Sequence, residues 1–131
     1  VAVFPSTGAA TAALKVFDDP SVLTCLNRLF RVVFDAQIES NPATRGQVTA
    51  VDVDISGTNV APVADATSVY EGTVGLTAKD GSEQAIGIGI AAVRAGRALS
   101  LYSYVVDSSD VVSLLPSLVD ASAARLVDAV A

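Results

Sequence analysis

Between Ser21 and about Ser40 the polar residues Thr24, Arg28, Arg31, Asp35 and Glu39 fall on one stripe at helical spacing, while Val22, Leu23, Leu26, Leu29, Phe30, Val33 and Phe34 cover most of the remaining surface. That distribution predicts a heavily buried helix over 19–40. Asp19 can cap its start, and Pro20 sits at the first position, where a missing N–H costs nothing. Asn41-Pro42 ends it, because the residue ahead of a proline disfavours the helical region. Upstream, the N-terminal segment 1–17 is alanine-rich from Ser6 onward, and Leu14 and Phe17 share a face, which suggests a short helix.

The spacing then changes from helical to alternating. From Gln47 to Ser56, Thr49, Val51, Val53 and Ile55 point one way and Asp52 and Asp54 the other. Two carboxylates on alternate positions indicate a strand with one wet face, near a sheet edge. Val69–Ala78 and Gln84–Arg94 read as the arms of a hairpin around Lys79-Asp80-Gly81-Ser82, and Arg97–Val106 follows a tight turn at Ala95-Gly96. Ala85–Val93 is apolar on both faces, so it belongs at the centre of the sheet with cover on both sides. A second amphipathic helix is expected over 110–130, capped from Asp107 or Asp110 and kinked or restarted near Pro116. The predicted fold is α+β: an antiparallel meander of four or more strands over 47–106, flanked by N- and C-terminal helices, in one domain.

Counting outward from the two turns gives an expected register. A two-residue loop at Ala95-Gly96 sets Arg94 against Arg97, Ile90 against Leu101, Gly89 against Tyr102 and Gly87 against Tyr104; Asp80-Gly81 at the centre of the other turn sets Gly72 against Gly89 and Tyr70 against Ala91. Together they gather Tyr70, Gly72, Gly87, Gly89, Tyr102 and Tyr104 on one face. Tyrosine opposite glycine lets a ring cover bare backbone. The other face, with Ile86, Ile88, Ile90, Leu99 and Leu101, reads as plain core. The glycine–tyrosine face is either a seat for a helix or a shallow groove for a small ligand with an apolar body and one polar group. Glu71 would point away from Tyr70, which weakens any reading of it as a catalytic carboxyl beside the tyrosines.

Composition narrows the chemistry. The chain has 131 residues, 51% hydrophobic and 17% charged, which excludes a disordered polymer. Its net charge of −6 disfavours nucleic acid as a partner. There is no histidine and one cysteine, which removes the usual general base, the Ser–His and Cys–His dyads, an intrachain disulfide and a multi-cysteine zinc site. No apolar run approaches the ~20 residues needed to span a bilayer. Asp52 and Asp54 resemble half of a cation site but lie on a strand, where solvated carboxylates are the better reading. Gly87-Ile88-Gly89 lacks the third glycine of a dinucleotide fingerprint. Arg94 and Arg97 flank a turn and could grip a carboxylate, although solvated arginines are the commoner case. Cys25, beside Leu29, reads as a small core residue; if exposed it could pair between chains in an oxidising compartment. The start without methionine suggests a trimmed or exported form, and six arginines against two lysines suit a GC-rich genome.

Val63-Ala64-Asp65-Ala66, Tyr70-Glu71-Gly72-Thr73, Ala92-Val93-Arg94-Ala95-Gly96-Arg97-Ala98-Leu99 and the closing Ala123-Ala124-Arg125-Leu126 resemble actinobacterial secreted and lipoprotein domains related to the extracellular sensor module of PknH-type serine/threonine kinases. The likeness covers about the last 70 residues, more than half of the 131. It implies an antiparallel sheet flanked by helices, an extracytoplasmic location, and ligand sensing with no catalysis. Sensor modules of that kind carry paired disulfides, whereas Cys25 stands alone. A PsbP-like layering is an architectural analogy. The expectation is therefore a non-enzymatic, extracytoplasmic small-ligand-binding or sensor-type domain, without cofactor or metal, whose site is Tyr70, Gly72, Gly87, Gly89, Tyr102 and Tyr104. The alternative is a protein–protein interaction or scaffold module, for which a homodimer is one option. A pocket lined by the three tyrosines favours the first, and an exposed apolar patch or a symmetric interface favours the second.

Overall fold

The computed structural model describes residues 1–61 and 64–107 and, near the C-terminus, Ala121, Ala124, Arg125, Leu126 and Asp128. The elements run β1 (Ala2–Val3), α1 (Thr7–Phe17), α2 (Pro20–Ser40), β2 (Val48–Thr58), β3 (Ala66–Ala78), β4 (Glu83–Ala95) and β5 (Ala98–Asp107). The strands form one antiparallel sheet in the order β1-β5-β4-β3-β2. The expected α+β meander with flanking helices is the observed architecture. β1 is an addition: two residues with no periodic signal, pairing only with Ala98 and Leu99. The expected kink at Pro116 lies outside the described residues, as does most of the C-terminal helix; its described residues are helical.

Local signals set the helices. Ser6 Oγ accepts from Ala9 N–H at the start of α1, and Asp19 Oδ1 accepts from Ser21 N–H at 2.8 Å with Pro20 in the first turn of α2. Both helices lie on the same face of the sheet. There Val51, Ile55, Tyr70, Val74 and Ile88 form a core with Phe17 of α1 and Val22, Leu23, Leu26, Phe30, Phe34 and Ile38 of α2. On the far face Val69, Ala91, Val93, Ala95 and Ala98 form a second core that Leu126 closes. The doubly apolar β4 is thus central and covered on both sides.

Asn27 locks α2 onto the edge of the sheet. Its Nδ2 donates to Ile55 O at 3.1 Å and its Oδ1 accepts from Ile55 N–H at 2.9 Å, so one amide takes both backbone groups that Ile55 turns away from β3. The helix is less buried than its sequence predicts. Leu29, Val32 and Val33 are exposed, and so is Cys25, which is not a core residue. At 100° per residue Leu29 and Val33 lie roughly 120–160° around the helix from Asn27. This second apolar stripe therefore turns away from the β2 edge and stands exposed.

Two turns differ from their expected form, with different consequences. Between β3 and β4 the connection has three residues: Gly81 N–H donates to Ala78 O at 2.9 Å, Ala78 N–H donates to Ser82 O, and Gly81 takes φ +84°. The extra residue slips the register by one, so Tyr70 faces Ile90, Gly72 faces Ile88 and Glu71 faces Gly89. A slip of one moves a side chain to the opposite face. Between β4 and β5 the turn is Gly96-Arg97, with Ala95 opposite Ala98 and Gly96 alone at positive φ, the arrangement that needs glycine first. That moves the register by two, which preserves the faces but changes the partners: Gly89 faces Tyr104, Gly87 faces Val106, Arg94 faces Leu99 and Ile90 faces Ser103.

Candidate functional site

The six expected site residues divide between the faces. Tyr70 and Gly72 lie under the helices, where Tyr70 is buried, 6.2 Å from the Phe17 ring centroid, and covers Gly57. Burial, reinforced by the negative charges of Asp18 and then Asp19, pushes the Tyr70 phenol above its ordinary value. Gly72 sits so close to β2 that a Cβ there would run into Asp54 O and Ile55 Cα. Gly87, Gly89, Tyr102 and Tyr104 stay together on the far face, but their neighbour is Glu71 and not Tyr70.

The Tyr104 ring lies directly across Gly89, in the space a Cβ would occupy, and the tyrosine-over-glycine cover expected from the sequence is present at this pair. Its hydroxyl reaches across β4 and donates to Glu71 Oε1 at 2.6 Å. Desolvation, then the hydrogen bond to Glu71, hold the Tyr104 phenol far above its usual range. The pair is an internal staple between β3 and β5. The phenol holds its proton at neutral pH, and its oxygen is already engaged by the chain itself.

Other candidate groups are also used internally. Asp65 Oδ2 accepts from Gly96 N–H at 2.6 Å and from Arg94 Nη1 at 3.2 Å, so Arg94 grips a carboxylate of its own chain and braces the β4–β5 turn. A cleft of about 350 Å³ opens beside Tyr70, lined by Asp18, Thr58, Asn59, Thr67 and Ser68 among others; Ser68 Oγ donates to Asp18 Oδ1 at 2.8 Å inside it. Among the described residues no three histidine, cysteine or acidic side chains converge as a metal site, and no helix is long and apolar enough to cross a membrane.

Among the described residues an unpaired strand edge lies along β5. β1 occupies its outer edge only at Ala98 and Leu99, and among the described residues no strand pairs beyond that point. Phe4 N–H donates to Arg97 O at 2.9 Å, so Arg97 directs its backbone groups outward. Alternation along the strand then aims the N–H and C=O of Leu101, Ser103 and Val105 at the open edge. The segment Ser100–Val106 has no charged residue, proline or glycine. Leu101, expected in the core, is 55% exposed and Val105 62%, both on the helix-bearing face. The register is the reason: opposite Ala92 instead of Ile90, Leu101 lies nearer the turn and outside the core cluster. The missing charges were a legible signal.

No family model, curated protein or solved structure matches the chain.

Proposed function

We propose that this domain works without catalysis as a protein-interaction module, taking an extended segment of a partner as an added strand on the open edge of β5. The observation that carries this reading is the run Ser100–Val106: outward backbone donors and acceptors, no charge, and Leu101 and Val105 standing exposed beside them. Main-chain hydrogen bonds to such an edge supply affinity, and alternate side chains supply selectivity. An incoming strand would set alternate side chains on the helix-bearing face beside Leu101 and Val105. A histidine-free chain whose Tyr104 and Glu71 are engaged with each other fits a docking role better than acid–base chemistry. The small-ligand reading has less support, because Tyr104 covers Gly89 itself and Tyr70 lies on the other face.

The test is selection of short uncharged peptides from a display library against the folded domain, followed by backbone amide NMR. Selected peptides should shift Leu101, Ser103 and Val105 and leave Asp52 and Asp54 unmoved. Peptides that map to the Asp18–Tyr70 cleft, or a library that yields no binder, would overturn the reading.

A further inference from the structure

Resting on the docking role of the β5 edge, we infer that its partner is a second copy of this chain, joined β5 to β5 in antiparallel register about a two-fold axis at Ser103. β1 blocks the edge through Leu99, so among the described residues the stretch without an outer strand partner runs from Ser100 to Val106 and is centred on Ser103. The outward groups belong to Leu101, Ser103 and Val105, so hydrogen-bonded pairs must join these odd positions. The register centred on Ser103 uses all of them: Leu101 meets Val105 of the second copy, Ser103 meets Ser103, and Val105 meets Leu101. Moving the axis by one residue leaves Leu101 or Val105 opposite a serine. On the far face the same register sets Tyr102 against Tyr104. The strand is therefore complementary to itself on both faces, as a two-fold interface requires.

Charge favours the same surface. Each copy carries −6, and the run Ser100–Val106 brings no charged side chain of its own to the seam, so pairing there adds no carboxylate contact from these residues to the general repulsion. The opposite edge, β2, carries exposed Asp52 and Asp54. An axis perpendicular to the sheet keeps both sets of helices on one side, so the joined strands form a floor carrying Leu101 and Val105 from each copy. Strand pairing of this length buries little area, and the dimer is of micromolar strength.

The test uses light scattering over micromolar to millimolar concentrations of the whole chain. Wild type should shift from monomer to dimer. Ser103→Lys and Ser103→Glu each place like charges across the axis and should weaken the dimer on the order of a hundredfold, with circular dichroism unchanged because Ser103 is exposed. Mixing the two variants should restore a dimer, since lysine then faces glutamate only in this register. A wild type monomeric throughout overturns the inference, while peptides that still shift Leu101, Ser103 and Val105 would leave the docking role intact. A dimer that survives Ser103→Lys, or variants that fail to recombine, would place the interface elsewhere and also overturn it.

Discussion

At one side of the sheet Asn27 leans over from α2 and occupies both backbone groups of Ile55, Asp52 and Asp54 project from the same strand, and a register shift between Val48 and Ala50 breaks its run. At the other side β5 meets β1 over two residues and, among the described residues, pairs with no strand beyond them, with no charge from Ser100 to Val106. The first edge has the devices by which sheets avoid joining other sheets: a covering side chain, carboxylates and an irregularity. Among the described residues the second has none beyond the short β1. Among the described residues the two edges of the sheet therefore differ in backbone cover, charge and regularity. Stability does not explain the asymmetry, because an aspartate or lysine at Ser103 would face solvent at little cost.

The comparison can be broken hardest at the two glycines that seat neighbouring strands. Gly72→Ala pushes a methyl group into the backbone of Asp54 and Ile55, which cannot move without parting β2 from β3. The expected loss is about 3 kcal/mol in urea denaturation. Gly89→Ala meets first the end of the Tyr104 ring, which can swing aside at the expense of its bond to Glu71, and the expected loss is about 1–2 kcal/mol. Equal losses would mean that the β5 side is held as rigidly as the guarded edge.

A second test removes the guard. Asn27→Ala strips the partner from Ile55 N–H and O, which are partly buried, and should destabilise the fold by about 1–3 kcal/mol. In a chain that also carries Ser103→Lys, it should bring back concentration-dependent association in light scattering, now through β2. If that double variant stays monomeric, Asp52 and Asp54 alone suffice to keep the edge solitary.

The guarded edge was more legible in sequence than the open one. Alternating Asp52 and Asp54 announced an edge strand directly, Asp19-Pro20 fixed the start of α2, and an apolar Ala85–Val93 fixed the central strand. The candidate site depended on register, and register depended on turn length. Lys79-Asp80-Gly81-Ser82 allows a two- or a three-residue loop, and the choice moved Tyr70 and Gly72 across the sheet while bringing Glu71 under Tyr104. Asn27 looked like one more polar helix position, because its partner is a backbone 28 residues away. Leu29 and Val33 looked buried because hydrophobicity marks what can be covered, and the amount of sheet available under α2 decides what is.

The smallest effect concerns how β5 is held from within. The Tyr104–Glu71 bond ties the open strand to β3 across β4, and Tyr104→Phe should cost about 1–2 kcal/mol at neutral pH while leaving the outer edge of β5 unchanged. Its signature is in the pH dependence. Burial and the bond to Glu71 raise the folded phenol above the 10.0 of an unhindered tyrosine. The unfolded chain therefore releases this proton near pH 10 while the folded chain keeps it, so the contribution is complete below pH 10 and falls as pH rises beyond it. Tyr70 is raised too and acts with the same sign, but it remains in the variant. The difference between wild-type and Tyr104→Phe stabilities in urea, followed from neutral pH upward, should stay level to about pH 10 and then shrink. A difference that stays constant through the alkaline range would mean that Tyr104 ionises as readily in the fold as outside it, and that the staple does not anchor the open strand.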